Sequence, residues 1–148
     1  MSSLMACRGI GAIVGAFAAS YWAGGSLRRM RIGILFGFLA GALGYLTLSR
    51  ASNLPTACAA IVLAHAGGSA IWIFSSTLLQ LGTDDRFRGR VFSAEFAFSV
   101  ITMSFSSYSA GLLIDHSVPV SVVAAGVGVA MMIPAIVWAF ALATALRD

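Results

Sequence analysis

Long apolar runs separated by short polar gaps dominate this chain. Five runs are long enough to cross a lipid bilayer, which takes about 20 apolar residues at about 1.5 Å of rise per residue. The gaps contain Gly, Pro, Asn or Ser, which are residues that favour turns. The pattern predicts an all-α membrane protein with five transmembrane helices, at about 4–23, 32–49, 56–81, 91–113 and 118–146.

The composition gives the same prediction. Of 148 residues, 59% are hydrophobic and only 9% are charged, whereas soluble domains carry about 25% charged residues. So few charges cannot give every surface helix a polar face in water. We therefore expect the lipid bilayer to be the partner that surrounds most of the chain.

The basic residues are all arginines, and most of them lie in alternate gaps. The second and fourth gaps contain only Arg50, and Arg147 follows the last run. The first and third gaps contain Arg28, Arg29, Arg31, Arg86, Arg88 and Arg90. The positive-inside rule predicts a plasma (inner) membrane protein with its N-terminus outside and its C-terminus in the cytoplasm. No basic face alternates with aromatic residues, so we expect no nucleic-acid partner.

The first run has an alternative interpretation as a signal peptide. Arg8 precedes an apolar stretch that ends in the small residues Ala18-Ala19-Ser20, as a signal peptide would. Cleavage there would leave the arginines of the first gap outside the cell. This outcome conflicts with the arginine distribution, and we interpret the run as the first span.

Small residues recur at four-residue spacing inside the runs. They form the sets Gly11 and Gly15, then Gly33, Gly37 and Gly41, with the pair Gly67 and Gly68 in the third run. Lipid removes the hydrophobic drive between helices, so small residues at close contacts gain importance. We expect tight helix packing at these glycines; a specific dimer seam is the alternative.

Ionisable side chains within a span are functional candidates, because burying a charge in lipid is costly, and two of them are good candidates here. His65 lies near the middle of the third span. It could carry protons, or it could be a neutral histidine bonded to a backbone carbonyl or a serine. Glu95 lies about one turn into the fourth span. It could pair with an arginine of the preceding loop, face a substrate path or reach water.

Motifs of enzymes and cofactor sites are missing from the sequence. There is no Walker loop, no H-E-x-x-H and no nucleophile elbow, so we expect neither an enzyme nor a cofactor. Cys7 and Cys58 lie in or beside apolar runs without a cysteine-rich spacing. They are predicted to be small buried hydrophobic residues, with no disulfide framework and no metal site.

The third gap carries the most specific motif. Residues 79–93 read LQLGTDDRFRGRVFS. This stretch resembles the L-Q-x-x-x-P-D-x-x-R-G-R-V-x-S loop between the tenth and eleventh helices of major facilitator transporters, in the drug and siderophore exporter branch of enterobactin-exporter and macrolide-efflux-like proteins. Asp84, Arg88, Gly89 and Arg90 occupy motif positions, and Thr83 replaces the usual proline.

Physical chemistry also suggests roles for this loop. Asp84 and Asp85 are placed to favour the N-terminus of the fourth span, and Gly89 to allow a tight turn. Its arginines can bind carboxylates or lipid phosphates. The loop is either a conformational latch or simply a solvated, positively charged turn.

The first gap also resembles a major-facilitator motif. Residues 20–29 read SYWAGGSLRR, which is similar to the degenerate G-x-L-a-D-R-x-G-R-R loop between the eighth and ninth helices. Arg28 and Arg29 match the basic end of the motif. Gly24 and Leu27 replace its Asp and its second Gly, so the charge relay of the motif is not carried over.

The resemblance implies that residues 1–148 are part of a C-terminal six-helix bundle and contain its helices eight to twelve. Spans one, three and four would then line a central cavity. Candidates for the substrate or proton pathway are His65, Ser69, Glu95, Ser104 and Ser107. Hydroxyls that bond back to their own helix are the alternative for the serines.

The implied function is secondary-active, proton-coupled export of a small amphipathic molecule. The chain would lack the seventh helix and the N-terminal half of the transporter, so that half is an expected partner and the chain should not transport alone. A small membrane scaffold or assembly subunit is the alternative. A self-assembling small multidrug exporter fits less well, because that class depends on a Glu in its first span.

Overall fold

The computed structural model describes residues 2–145, and all regular structure within them is helical. The five α-helices are α1 (Ser2–Ala23), α2 (Leu27–Leu48), α3 (Leu54–Gly82), α4 (Arg88–Asp115) and α5 (Val120–Ala145), and a 3-10 turn at Asp85–Phe87 precedes α4. Each α-helix is long and apolar enough to cross a membrane. The predicted all-α architecture is confirmed to this extent, and it indicates a multi-pass membrane protein. Leu146, where the fifth span was predicted to end, and Arg147 lie outside the described residues.

Helix α2 begins at Leu27 rather than at the predicted Ile32. The Ser26 side chain caps its N-terminus and accepts a hydrogen bond from the Arg29 backbone N–H at 3.5 Å. Gly24 and Gly25, with φ of 50° and 79°, make the turn that precedes it. The sequence prediction assigned the arginines to the gap because they are charged. Arginine is nevertheless a good helix former, and its long side chain can reach water from the first turn of a helix.

Helix α4 also begins earlier than predicted, at Arg88 rather than Val91. Gly89 therefore lies in the first helical turn and does not have a positive φ. The tight turn expected at Gly89 is wrong, because the chain changes direction earlier, at Thr83 and Asp84 and in the 3-10 turn. Nothing lies within 4 Å of the position that a Cβ at Gly89 would occupy.

The other two interhelical turns use side-chain and proline chemistry. Asn53 caps α3, where its Oδ1 accepts a hydrogen bond from the Thr56 N–H at 2.9 Å, and a proline occupies the first turn of that helix. Pro119 precedes α5, and its carbonyl accepts from the Val122 N–H at 2.9 Å. Pro134 lies inside α5, and the helix continues through it.

Helix α3 is the centre of the packing. Helices α1 and α2 both lie against α3, and α5 lies against the other side of α2, whereas α1 and α2 touch each other only slightly. One cluster of buried side chains joins the first three helices: Ala19, Ala23, Met30, Ile34 and Phe74. The indole of Trp138 ties α5 to α2 by donating a hydrogen bond to the Arg31 carbonyl at 2.8 Å.

Most of the predicted packing glycines lie at backbone-to-backbone or backbone-to-side-chain contacts. A Cβ on Gly11 would lie 2.5 Å from the carbonyl oxygen of Val62, and one on Gly15 would overlap the backbone of Ala66. A Cβ on Gly37 would lie 2.8 Å from the carbonyl oxygen of Gly67. These positions let α1 and α2 approach α3 more closely than larger residues would allow.

Two further predicted glycines contact side chains, and one does not fit the packing prediction. A Cβ on Gly33 would meet the ring of Phe74, and one on Gly41 would meet the Met131 side chain. Gly68 instead faces open space, because it points away from α2 while its neighbour Gly67 points towards it.

Helix α4 is the exception in this packing. It has no buried residue, and among residues 2–145 its few contacts with other elements are mainly with α5 and with the 3-10 turn. Its large apolar side chains are exposed, including Phe98 at 73% and Phe105 at 72%. The described chain therefore forms a packed group of four helices with a fifth helix beside it.

Candidate functional site

The loop that joins α3 and α4 contains two ion pairs. Arg86 Nε lies 3.3 Å from Asp84 Oδ2, and Arg88 Nη1 lies 2.8 Å from Asp85 Oδ1. The Arg86 guanidinium also lies over the Phe87 ring, 4.6 Å from its centroid. Exposed pairs of this kind are each worth about 0–1 kcal/mol, so they organise the loop more than they stabilise the fold.

The loop carboxylates do not cap α4 as the sequence suggested. Phe87 is the N-cap residue of α4 and makes no side-chain capping bond. Asp84 precedes the 3-10 turn and likewise makes no side-chain capping bond. The two carboxylates instead pair with arginines, Asp84 with Arg86 and Asp85 with Arg88, the first residue of α4. Arg90, the remaining basic residue of the motif, lies exposed in that first turn.

The arginines at the turn between α1 and α2 lie at the same end of the bundle as the loop between α3 and α4. Arg29 Nη1 donates to the carbonyl of Trp22 at 3.4 Å, which places a positive charge beside the C-terminal end of α1. Cations are favourable there because the last carbonyls of a helix carry partial negative charge. Arg28 is exposed next to it.

His65 is half-buried on α3 and bonded to its own helix. Its Nδ1 lies 3.0 Å from the Ile61 carbonyl oxygen, to which an Nδ1–H would donate. This contact matches the backbone-bonded alternative for His65. Ser69 lies one helical turn further along α3 and is half-buried as well.

The hydroxyls of α3 and α4 differ in their bonding. On α3, Thr77 Oγ1 donates to the Ile73 carbonyl at 2.7 Å, as the self-bonding alternative predicts. Ser104 and Ser107 on α4 are exposed, and within residues 2–145 neither bonds back to its helix, although Ser93 does so to Gly89 at 2.7 Å. The two α4 serines therefore present unpaired hydroxyls.

Some of the pathway candidates lie at the same depth along their helices. At about 1.5 Å of rise per residue, His65 and Ser104 both lie about 25 Å from the loop between α3 and α4, whereas Glu95 lies only about 10 Å from it. His65 and Ser104 thus share a layer near the middle of the bundle. The structure does not bring them together, because α3 and α4 do not pack along their lengths.

Glu95 is half-buried and stands alone in the described chain. The salt bridges found among residues 2–145 are the two in the loop, so Glu95 does not pair with an arginine there. Two of the loop arginines, Arg86 and Arg88, are instead paired with Asp84 and Asp85. No three His, Cys, Asp or Glu side chains in the same part of the chain are placed to hold a metal ion.

Two features were missed by the sequence analysis. An apolar cleft of about 380 Å³ lies between α1, α2 and α3, and its aromatic end contains Trp22, Phe36 and Phe74. Cys7 and Cys58, expected to be buried, are both half-exposed. The four-residue glycine spacing was the available signal for the cleft, because strips of small residues leave space as well as allow contact.

Comparisons with family models, with curated proteins and with solved structures find no match to this chain. The functional assignment therefore rests on the side chains, their depths and the loop motifs.

Proposed function

We propose that this chain is the part of a major-facilitator-type transporter that contains helices eight to twelve, and that the transporter exports small amphipathic molecules in exchange for protons. Five membrane-length helices support the proposal. So do the loop residues Asp84, Arg88, Gly89 and Arg90, with Arg28 and Arg29 at the other arginine-rich turn.

The observation that carries the proposal is the lack of packing around α4. This helix has hydroxyls at mid-depth and no buried residue. Polar groups facing lipid without a partner are costly, and helices packed against protein or a water-filled cavity avoid that cost. We infer that α4 lines a cavity completed by helix seven and the N-terminal half of the transporter.

The remaining features fit one arrangement. The arginine-rich turns face the cytoplasm of a plasma (inner) membrane, so the α2–α3 and α4–α5 turns face outside. Helices α1, α3 and α4 face the substrate, and the two transporter halves rock about a site near the midplane. His65, as the titratable side chain in that layer, is our candidate for the proton carrier.

Accessibility to water at Ser104 tests the cavity. In a Cys7→Ser/Cys58→Ser background, Ser104→Cys should react with a membrane-impermeant maleimide when the tagged chain is expressed from its own genomic locus. A cavity brings water to mid-depth, whereas lipid excludes the reagent. Labelling is read by mass spectrometry of the purified chain.

Val129→Cys is the matched control. Val129 is 60% exposed on α5 and lies at a similar depth, about 13 Å from the start of its helix. It should stay unlabelled because it faces lipid. A scaffold subunit would bury Ser104 against a partner helix, and absence of labelling at both positions would therefore favour the scaffold alternative over transport.

Proton coupling through His65 predicts a changed pH profile. In inverted vesicles that contain the assembled transporter, His65→Asn should flatten the pH dependence of ethidium transport, because an asparagine side chain cannot carry a proton. His116→Asn, in the turn after α4, is the control and should retain the profile. If the His65 variant keeps the profile of the unsubstituted protein, His65 is not the proton carrier.

A further inference from the structure

A pair of thiols lies between α1 and α3, at the ends of these helices that are remote from the arginine-rich turns. Cys7 lies about 8 Å from the start of α1 and Cys58 about 6 Å from the start of α3. The two side chains are neighbours across the α1–α3 interface. Both thiols are free and half-exposed, so reagents can reach them.

The register of the two helices explains why these cysteines meet. Gly15 lies against the backbone of Ala66, and Gly11, one turn earlier, lies against the backbone of Val62. One further turn in the same direction pairs Cys7 with Cys58 at the same offset along the chain. The thiol contact is thus the next step of a regular, glycine-lined interface.

The spacing of the helices suits a covalent bridge. A Cβ on Gly15 would lie 2.6 Å from the Ala66 Cα, and one on Gly11 would lie 2.9 Å from the Val62 Cα, so the helices separate slightly towards the cysteines. A disulfide requires Cα atoms about 4.4–6.8 Å apart. The glycines hold the backbones nearly in contact, and the separation grows by a few tenths of an ångström per turn, so we expect the Cα atoms of Cys7 and Cys58 to lie within that range.

We propose that Cys7 and Cys58 form a disulfide that links α1 to α3. The proposal rests on the orientation given under the proposed function, which places these ends at the outer face of the membrane. Disulfides form and persist in that oxidising compartment, whereas cytoplasmic thiols are kept reduced.

The bond forms by thiol–disulfide exchange with a disulfide oxidoreductase of the outer compartment. The Cys7 thiolate attacks one sulfur of the oxidant's disulfide and releases one thiolate. The Cys58 thiolate then attacks the Cys7 sulfur of the mixed disulfide and releases the second. Cys7 and Cys58 are oxidised, the oxidant's disulfide is reduced to a dithiol, and the two protons pass to that dithiol.

The bridge would enclose α2 in a covalent loop and hold the outer ends of α1 and α3 together. It therefore protects an interface that the glycines bring close but that few large side chains support. A change in redox conditions at the outer face would loosen this end of the bundle without touching His65 or the α4 hydroxyls.

The test uses the full chain in cells. Free thiols are trapped with membrane-permeant N-ethylmaleimide, and the purified chain is then reduced and treated with a maleimide that adds a large mass. We expect most molecules to gain two mass tags after reduction and none without it. Cys7→Ser and Cys58→Ser should each abolish the tagging.

An off-register variant controls for chance oxidation. Ala59→Cys in a Cys58→Ser background moves the thiol about 100° around α3, and it should not bridge to Cys7. Equal bridging in this variant would overturn the assigned register. Complete trapping of Cys7 and Cys58 by N-ethylmaleimide in cells would overturn the disulfide.

If no disulfide is found in cells, a second measurement shows whether the membrane orientation or the helix register is wrong. Isolated membranes are treated with copper phenanthroline. Bridging there, together with a cytoplasmic location of these helix ends, would assign the failure to the orientation. A lack of bridging would assign it to the helix register. Labelling of Ser104→Cys tests the transport proposal independently of both.

Discussion

Gly67→Leu should prevent recovery of the folded chain, whereas Gly68→Leu should leave it intact. A Cβ on Gly67 would overlap the Gly37 carbonyl oxygen and lie 3.0 Å from the Gly41 backbone nitrogen, while Gly68 has nothing within 4 Å. The atoms that the new side chain at position 67 would meet are backbone atoms, which cannot rotate away. Helices α2 and α3 would have to separate.

The expected stability losses of the two variants differ enough to be measured. Overpacking costs typically about 1–3 kcal/mol, and Gly67→Leu should lie at the upper end or beyond it. A substitution in open space usually costs less than about 0.5 kcal/mol. Thermal unfolding in detergent, followed by size-exclusion chromatography of a fluorescent fusion, compares the stability losses of the two variants. Similar losses in Gly67→Leu and Gly68→Leu would show that the α2–α3 contact is wrong.

Reporters fused at the four turns should divide into two pairs. A reporter enzyme active only outside the cytoplasm should be inactive at Ser26 and Asp84 and fully active at Asn53 and His116. The physical reason is the arginine distribution, since Arg residues near span ends are retained in the cytoplasm. Activity at Ser26 but not at Asp84, or the reverse, would contradict the two membrane crossings between those turns and the proposed orientation.

Exchanging arginines between the first and second turns tests the cause of the orientation directly. Arg28→Gln, Arg29→Gln and Arg31→Gln, combined with Ala51→Arg and Ser52→Arg, should shift part of the population so that the Ser26 reporter becomes active. The three Gln substitutions alone are the matched control and should have a smaller effect. An unchanged Ser26 reporter in the charge-exchange variant would mean that other segments determine the orientation.

The number of helices could be predicted from the sequence because membrane length and apolar content are properties of each segment alone. The starts of α2 and α4 could not, since Arg28 and Arg88 were assigned to gaps by charge although both are helical. Glycine spacing indicated the packing strips. It could not separate Gly67 from Gly68, because that difference depends on which face of α3 meets α2.

The candidate site was predictable only in part. His65 was named as a candidate from its residue type and depth, and Ser104 from the cavity that the resemblance implies; their roles stay predictions. The contact between Cys7 and Cys58 was missed because it depends on the register between two helices that are not adjacent along the chain. The exposure of α4 was also missed, since periodicity does not report which neighbours a helix lacks.

The order of contacts has a consequence for biosynthesis. Helix α1 packs mainly on α3 and only slightly on α2, its neighbour along the chain. The hairpin of α1 and α2 therefore gains little from its own pairing when it enters the bilayer. It reaches its final arrangement only after the third span has been inserted, so a ribosome stalled between α2 and α3 would leave α1 undocked in the lipid.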